Sequence, residues 1–192
     1  MAISGYRSGF LDGVGGMIRA AILLVLAFSA NAGRIEAQDT TYVPATELPN
    51  GKQIVAVYFG ASWCGPCQTP AMKAAIQKMK VLVGNQAKQS NASFSAIVVA
   101  LDHNMNDGLR FITPLGAFDE YIISFSIAGS APQRFMWTDA TAETAHAPEV
   151  FVIERTVTVE PHKSVAFSPD HVLRIVSGDS IPMWVAAGAP IR

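Results

Sequence analysis

The sequence predicts an α/β fold of three layers, in which a central mixed β-sheet lies between flanking helices. Two apolar runs carry this prediction, residues 54–59 (IVAVYF) and 94–101 (FSAIVVAL), which have the composition of strands buried on both faces. Between them lies one apolar helix face, made by Met72, Ile76, Met79 and Val83. A strand, a helix and a second strand in this order predict a parallel pair joined by a right-handed crossover.

The helix is predicted to begin near Pro66 and to stop at residues 84–85, where Gly-Asn interrupts the pattern. One or two short helices are expected within residues 109–127, and a short strand at residues 134–137. The last segment, residues 181–192, has room for one or two helical turns. Further strands are predicted at residues 150–153, 156–160, 165–167 and 172–176, the middle two as a hairpin.

Length, composition and charge limit the kind of molecule this is. The chain has 192 residues, half of them hydrophobic, which supports one compact domain with a sizeable core. It carries 14 basic and 15 acidic side chains, a formal net charge of −1. There is no basic field for nucleic acid and no polybasic patch for a membrane surface. We therefore expect no nucleic-acid partner, and membrane contact only through the N-terminal segment.

The N-terminal segment, residues 1–32, has the pattern of a signal peptide. Arg7 and Arg19 precede an unbroken apolar run at residues 20–28, and Ala-Asn-Ala at residues 30–32 has the small-x-small form of a cleavage site. The run is well short of the roughly 20 apolar residues that span a bilayer. We expect export to the periplasm or beyond the cell. The alternative is an uncleaved segment that anchors the protein to the membrane.

After that segment we expect a polar stretch at residues 33–52 and a folded domain at residues 53–192. The domain contains the only two cysteines, Cys64 and Cys67. A disulfide between them would close too short a loop to stabilise the fold, so a chemical role is the better explanation.

The position of the cysteine pair suggests what that role is. Cys64 falls between a buried strand and a helix, where free backbone amides favour a negative charge and lower the thiol pKa from about 8.5. A thiolate is the attacking species in disulfide exchange. Cys64 is therefore the predicted nucleophile and Cys67 the predicted resolving thiol. The Gly65-Pro66 turn allows the tight geometry that a disulfide between them needs.

A zinc half-site is the competing interpretation of the pair. The four histidines lack the close spacing of zinc ligands, and there is no second Cys-x-x-Cys. They are His103, His146, His162 and His171. We expect neither a metal nor another cofactor.

Residues 63–67 (WCGPC), directly after an apolar strand, resemble the thioredoxin signature, and residues 58–64 (YFGASWC) resemble its tryparedoxin and nucleoredoxin branch. The resemblance implies a thioredoxin-like domain over residues 53–192, with an insertion at about residues 103–145. Pro148 looks like the cis-proline of that family. By the same resemblance Ala147 and Pro148 form the substrate-side wall of the site. Trp63, beside the nucleophile, together with Gly65 and Pro66, is expected to contact the substrate.

One departure from the family pattern concerns proton transfer. Thioredoxins usually have a buried Asp six residues before the first cysteine, where this chain has Tyr58, which is no base at neutral pH. We further expect His103 to lie in a surface loop, Phe135 and Trp137 to lie in the core, and Glu149 to face solvent or a partner.

The resemblance implies an exported thiol–disulfide oxidoreductase. The Gly-Pro dipeptide between the cysteines is typical of the reducing members, so we expect a reductase. Its partners would be protein thiols and disulfides, with an upstream thiol compound or protein as electron donor. The alternative is a non-catalytic interaction module of the same fold that keeps a redox-sensitive cysteine pair.

Overall fold

Strands and helices alternate around one mixed sheet in the computed structural model, which describes residues 41–47, 49–137, 146–160 and 164–192. The strands of this part of the chain are β1 (Gly51–Gly60), β2 (Ser93–Ala100), β3 (Glu120–Ile123), β4 (Glu149–Glu160), β5 (Ser164–Phe167) and β6 (His171–Ser177). The helices are α1 (Gly65–Gln68), α2 (Pro70–Gln89), α3 (Met105–Ile112), α4 (Ser130–Phe135) and α5 (Ser180–Ala186), with a 3₁₀ turn at Thr113–Leu115. The predicted signal peptide, residues 1–32, lies outside the described residues.

The sheet has β1 at its centre. β1 pairs in parallel with β2 and antiparallel with β4, and β3 adds to β2 in parallel. On the far side of β4, β6 pairs with its first half and β5 with its second half. The predicted α/β architecture, the parallel crossover through α2 and the hairpin of β4 with β5 are confirmed. The apolar run of β1 is fully buried, as expected for a strand that has neighbours on both sides.

Helix α2 packs on the sheet through the apolar face seen in the sequence, since Met72, Ile76, Met79 and Val83 are buried. Its predicted stop at Gly84 is wrong, because the helix continues to Gln89. A methyl group on Gly84 would lie 3.1 Å from the Phe94 ring of β2. This glycine therefore permits close approach of helix and sheet rather than ending the helix.

A buried lysine joins α2 to the turn that follows α3. Lys80 donates from Nζ to the carbonyl oxygens of Leu115 (2.9 Å) and Ala117 (2.6 Å), and Nζ lies 3.9 Å from the centre of the Phe118 ring. Burial lowers the pKa of Lys80 to about 8, although the nearby Asp119 carboxylate acts in the opposite direction. The ammonium group thus satisfies two carbonyl groups at the cost of its own hydration.

Asp119 fastens the segment before β1 to the sheet. Its carboxylate accepts the hydroxyl proton of Tyr42 and the backbone N–H groups of Ala45 and Ala96. Tyr42 also packs its ring edge-on against Phe94, with 5.6 Å between the ring centres. One carboxylate therefore joins residues 42–45, β2 and the start of β3.

The region between β2 and β4 differs most from expectation. A strand at residues 134–137 is wrong, since residues 130–135 form α4 with Pro132 in its first turn, where a missing N–H is tolerated. Residues 109–127 contain the end of α3 and the 3₁₀ turn, as expected, but also the unpredicted strand β3. In the described part of the chain, no helix combines the length and hydropathy needed to cross a bilayer.

Candidate disulfide site

The site lies at one end of the sheet, formed by the carboxyl ends of the three parallel strands and by the start of β4. Cys64 follows β1, His103 follows β2, Phe125 follows β3 and Pro148 precedes β4. The register supports this placement, because Phe59 near the end of β1 pairs with Glu149 at the start of β4. The carboxyl edge of parallel strands is where α/β sheets commonly place their reactive groups.

Cys64 and Cys67 are joined in a disulfide, with 5.3 Å between their Cα atoms. Cys64 Sγ accepts the backbone N–H of Cys67 at 3.3 Å. The exposed fraction is 5 % for Cys64 and 0 % for Cys67. Gly65 and Pro66 between them are exposed. Both cysteines are thus buried, Cys67 completely and Cys64 almost completely.

The helix that follows Cys64 is shorter than the sequence predicts. Cys64 caps α1, which has four residues, and Thr69 then starts α2 with its own cap, a 3.2 Å bond from the Met72 N–H to Oγ1. The predicted single helix from Pro66 is wrong because Pro70 cannot continue the hydrogen bonding of the first turn. The group acting on Cys64 is therefore one directed amide of a single turn, rather than the dipole of a long helix.

A buried carboxylate secures the loop that carries Cys64. Asp102, directly after β2, accepts the backbone N–H of Ser62 at 3.0 Å and also its hydroxyl proton. The side-chain amide of Gln68 also holds this loop, because it donates to the carbonyl oxygen of Ala61 at 3.0 Å. Asp102 was not singled out from the sequence for this role, although its place at the carboxyl end of the strand predicted at residues 94–101 was a signal of it.

Trp63 stands exposed beside the disulfide, with 58 % of its surface accessible. Its indole N–H donates to the carbonyl oxygen of Leu101 at 3.2 Å, which fixes the ring direction. The ring stacks on His103 with 6.5 Å between centres and 12° between planes. His103 is exposed, as predicted, and it also belongs to the surroundings of Cys64 through this stack.

The loop that contains Pro148 lies at the same end of the sheet, directly before β4. The Ala147–Pro148 peptide is cis, as the resemblance implies, and the Pro148 carbonyl oxygen accepts the N–H of Gly178 at 2.9 Å. The expectation for Glu149 is wrong, because this side chain is buried and accepts the hydroxyl proton of Ser177 at 2.8 Å. Burial raises the pKa of Glu149 above its ordinary value.

Two aromatic residues predicted for the core have different positions. Phe135 is buried, and its ring centre lies 6.3 Å from that of Phe59. Trp137 is half exposed, so its prediction is wrong. Its indole N–H donates to the carbonyl oxygen of Ile127 at 3.0 Å, which ties it to the loop after β3.

Tyr58, in the position where thioredoxins usually have an Asp, has a fully buried hydroxyl group with no hydrogen-bond partner among the described residues. Burial raises its pKa above the ordinary value. We expect Tyr58→Phe to raise the free energy of unfolding by about 1 kcal/mol, because the variant no longer buries an unsatisfied polar group. Urea unfolding of the oxidised protein measures this. A clear loss of stability would show that the hydroxyl group has a partner in solution.

No cluster of His, Cys, Asp or Glu side chains able to hold a metal occurs among residues 41–47, 49–137, 146–160 and 164–192. Comparisons with family models, with curated proteins and with solved structures find no significant match to this chain.

Proposed function

We propose that this chain is an exported thiol–disulfide oxidoreductase of thioredoxin type, acting as a reductase by dithiol–disulfide exchange. The observation that carries the proposal is the Cys64–Cys67 disulfide, which lies at the carboxyl ends of the parallel strands with the Cys67 amide directed at Cys64 Sγ. Stability does not account for this disulfide, since it closes a loop of four residues.

The reaction proceeds through a mixed disulfide. In the reduced protein, the Cys64 thiolate attacks one sulfur of a partner disulfide, so a bond forms to that sulfur and the partner's S–S bond breaks. The released partner sulfur takes up a proton. Cys67 then loses its proton and attacks Cys64 Sγ, which closes the internal disulfide and frees the second partner thiol. Two electrons pass to the partner. A dithiol donor then supplies two electrons that reduce the Cys64–Cys67 disulfide again.

Three features of the chain support this sequence of steps. The Cys67 N–H directed at Cys64 Sγ favours the thiolate form of the attacking sulfur. Asp102 keeps the loop in place while bonds at Cys64 change. Tyr58 retains its proton, so water or another group accepts the proton of Cys67.

The thioredoxin-like fold is part of the proposal. Its support is the parallel pair β1 and β2, the helix after the cysteines, and the antiparallel strands that begin at Pro148. The insertion proposed at residues 103–145 contains α3, β3 and α4 in its described part. The surface that meets the partner consists of the exposed Trp63, Gly65 and Pro66, together with the half-buried Ala147 next to the buried Pro148.

The direction of the reaction and its compartment are proposed from the sequence. The Gly-Pro dipeptide favours reduction, and the pattern of residues 1–32 favours export to the periplasm or the exterior. A reductase outside the cytosol needs an upstream thiol donor. If residues 1–32 stay attached, the same domain works at the membrane surface.

Insulin reduction with dithiothreitol as the dithiol donor tests the activity. Wild type is expected to accelerate precipitation of the insulin B chain, and Cys64→Ser is expected to abolish the acceleration. Val165→Ser, at an exposed site on β5 towards the opposite end of the sheet, is the matched control and should retain it. A wild type without turnover would contradict the proposal and favour the non-catalytic interaction module.

A further inference from the structure

His103 is fixed beside the reactive turn, residues 64–67, by contacts between the segments that follow β1 and β2. Asp102 accepts the Ser62 N–H at 3.0 Å. The Trp63 indole N–H donates at 3.2 Å to the carbonyl oxygen of the residue before Asp102. The Trp63 ring also stacks on the imidazole, with 6.5 Å between ring centres. Since Trp63 directly precedes Cys64, these contacts determine where the imidazole stands relative to the reactive sulfur.

A backbone carbonyl group orients the imidazole further. His103 Nδ1 lies 3.4 Å from the carbonyl oxygen of Phe125. A carbonyl oxygen can only accept a hydrogen bond, so Nδ1 carries a proton and Nε2 is the atom that gains or loses one. The side chain is exposed, and among the described residues Nε2 has no hydrogen-bond partner. Nε2 is therefore available to a molecule that reaches the site from solvent.

Phe125 presents that carbonyl group from a strained backbone conformation. Its φ is 57°, in the left-handed region, which costs a residue other than glycine about 1–2 kcal/mol. The loop is held by Ser124, whose N–H donates to the carbonyl oxygen of Ala100 at 2.8 Å and whose hydroxyl group donates to that of Ser126 at 2.9 Å. Strain that the surrounding structure maintains in this way is concentrated at active sites. Its place at the residue that orients His103 supports a chemical role for the imidazole.

The proposed reaction includes a proton transfer that Gly65 and Pro66, next to Cys64, cannot perform. When Cys64 attacks a partner disulfide, the breaking S–S bond leaves its electron pair on the released sulfur. A cysteine-type thiol has a pKa of about 8.5, so its sulfur leaves more readily at neutral pH if a donor supplies a proton as the bond breaks. Imidazole is the side chain best suited to hold and release a proton near neutral pH.

We propose that His103 donates a proton from Nε2 to the sulfur that a partner disulfide releases at Cys64. This inference rests on the proposed function and assigns a residue to one of its steps. A bond forms from Cys64 Sγ to one partner sulfur, the partner's S–S bond breaks, and the other partner sulfur leaves as a neutral thiol. The imidazole becomes neutral and regains its proton from solvent. When a thiol donor attacks Cys64 Sγ in the return reaction, the neutral imidazole accepts the proton of the incoming thiol.

Two disulfides with different leaving groups test the proposal in Cys67→Ser protein, where the reaction stops after one exchange. Glutathione disulfide releases a cysteine-type sulfur, which benefits from a proton donor. Dithiobis(nitrobenzoate) releases an aromatic thiolate that is stable at neutral pH without one. His103→Phe keeps a ring that can stack on Trp63 but has no proton to give. It is expected to lower the rate constant with glutathione disulfide about tenfold and to change that with the aromatic disulfide by less than about twofold.

His171→Phe is the matched control, because this exposed histidine lies on β6 opposite Glu154, towards the other end of the sheet. It should leave both rate constants unchanged. The ratio of the two rate constants is the readout, since a displaced Trp63 ring or a less stable protein would lower both together. An unchanged ratio in the His103 variant, whether the rates stay the same or fall together, would overturn the role of His103 while insulin reduction at Cys64 stands. Cys67→Ser protein that reacts with neither disulfide would overturn this role and the proposed function together.

Discussion

Cys67→Ser is expected to stop turnover and to leave partner proteins attached to Cys64 as mixed disulfides. The variant keeps the attacking thiol and removes the sulfur that would release the partner, so the first exchange step becomes the last one. The reduced variant, incubated with glutathione disulfide, should gain the mass of one glutathione. Incubated with unfolded disulfide-bonded proteins, it should form adducts that dithiothreitol reverses. Mass spectrometry and non-reducing electrophoresis measure these products.

Cys64→Ser is the matched control, because it also leaves a single cysteine. Cys67 is fully buried, so its thiol should react with neither glutathione disulfide nor an alkylating reagent in the folded protein. The proposed roles of nucleophile and resolving thiol require this difference in reactivity between Cys64 and Cys67. Equal trapping by the two variants would contradict the assignment of Cys64 as nucleophile and Cys67 as resolving thiol.

The stability of the protein should rise between pH 8 and pH 9.5 through Lys80. Its pKa is about 8 in the folded protein and near 10.5 in the unfolded chain, so the unfolded chain binds more protons in this interval. The penalty for burying the charge is fully present below pH 8 and disappears as the folded protein loses the proton. The gain is at most about 3 kcal/mol, from the constant of 1.36 kcal/mol for each pKa unit.

Urea unfolding of the oxidised protein at pH 7 and pH 9.5 measures this effect. Lys80→Met should show a smaller rise in the free energy of unfolding than wild type, since it has no proton to lose at this position. Lys78→Met, at an exposed position on the same helix, should follow wild type. The range ends below pH 10 because buried Tyr42 and Tyr58, whose pKa values are raised, oppose the gain once tyrosines in the unfolded chain ionise. Parallel curves for wild type and Lys80→Met would refute the prediction.

The centre of the fold was accessible from the sequence because its signals are local. The apolar run of β1, the periodic face of α2 and the cysteines between them lie within about 30 consecutive positions. Residues 94–101 added the second strand. These elements place Cys64 just after β1 with Cys67 three residues on, and the predicted disulfide between them is confirmed.

The features that were mispredicted depend on partners far along the chain. Glu149 is buried because Ser177, 28 positions later, supplies a hydroxyl donor. β3 has only four residues at the edge of the sheet, and its pairing with β2 fixes it as a strand. Trp137 stays at the surface because a carbonyl group ten positions earlier accepts its indole N–H. Sequence pattern alone contains none of these contacts.

The break at Thr69 separates the reactive turn from the long helix behind it. Because α2 supplies its own first cap, the start of the helix does not depend on the bond between the two sulfurs. We therefore expect reduction to change the backbone only within the few residues of the reactive turn, so that the rest of the outer surface is common to the oxidised and reduced forms.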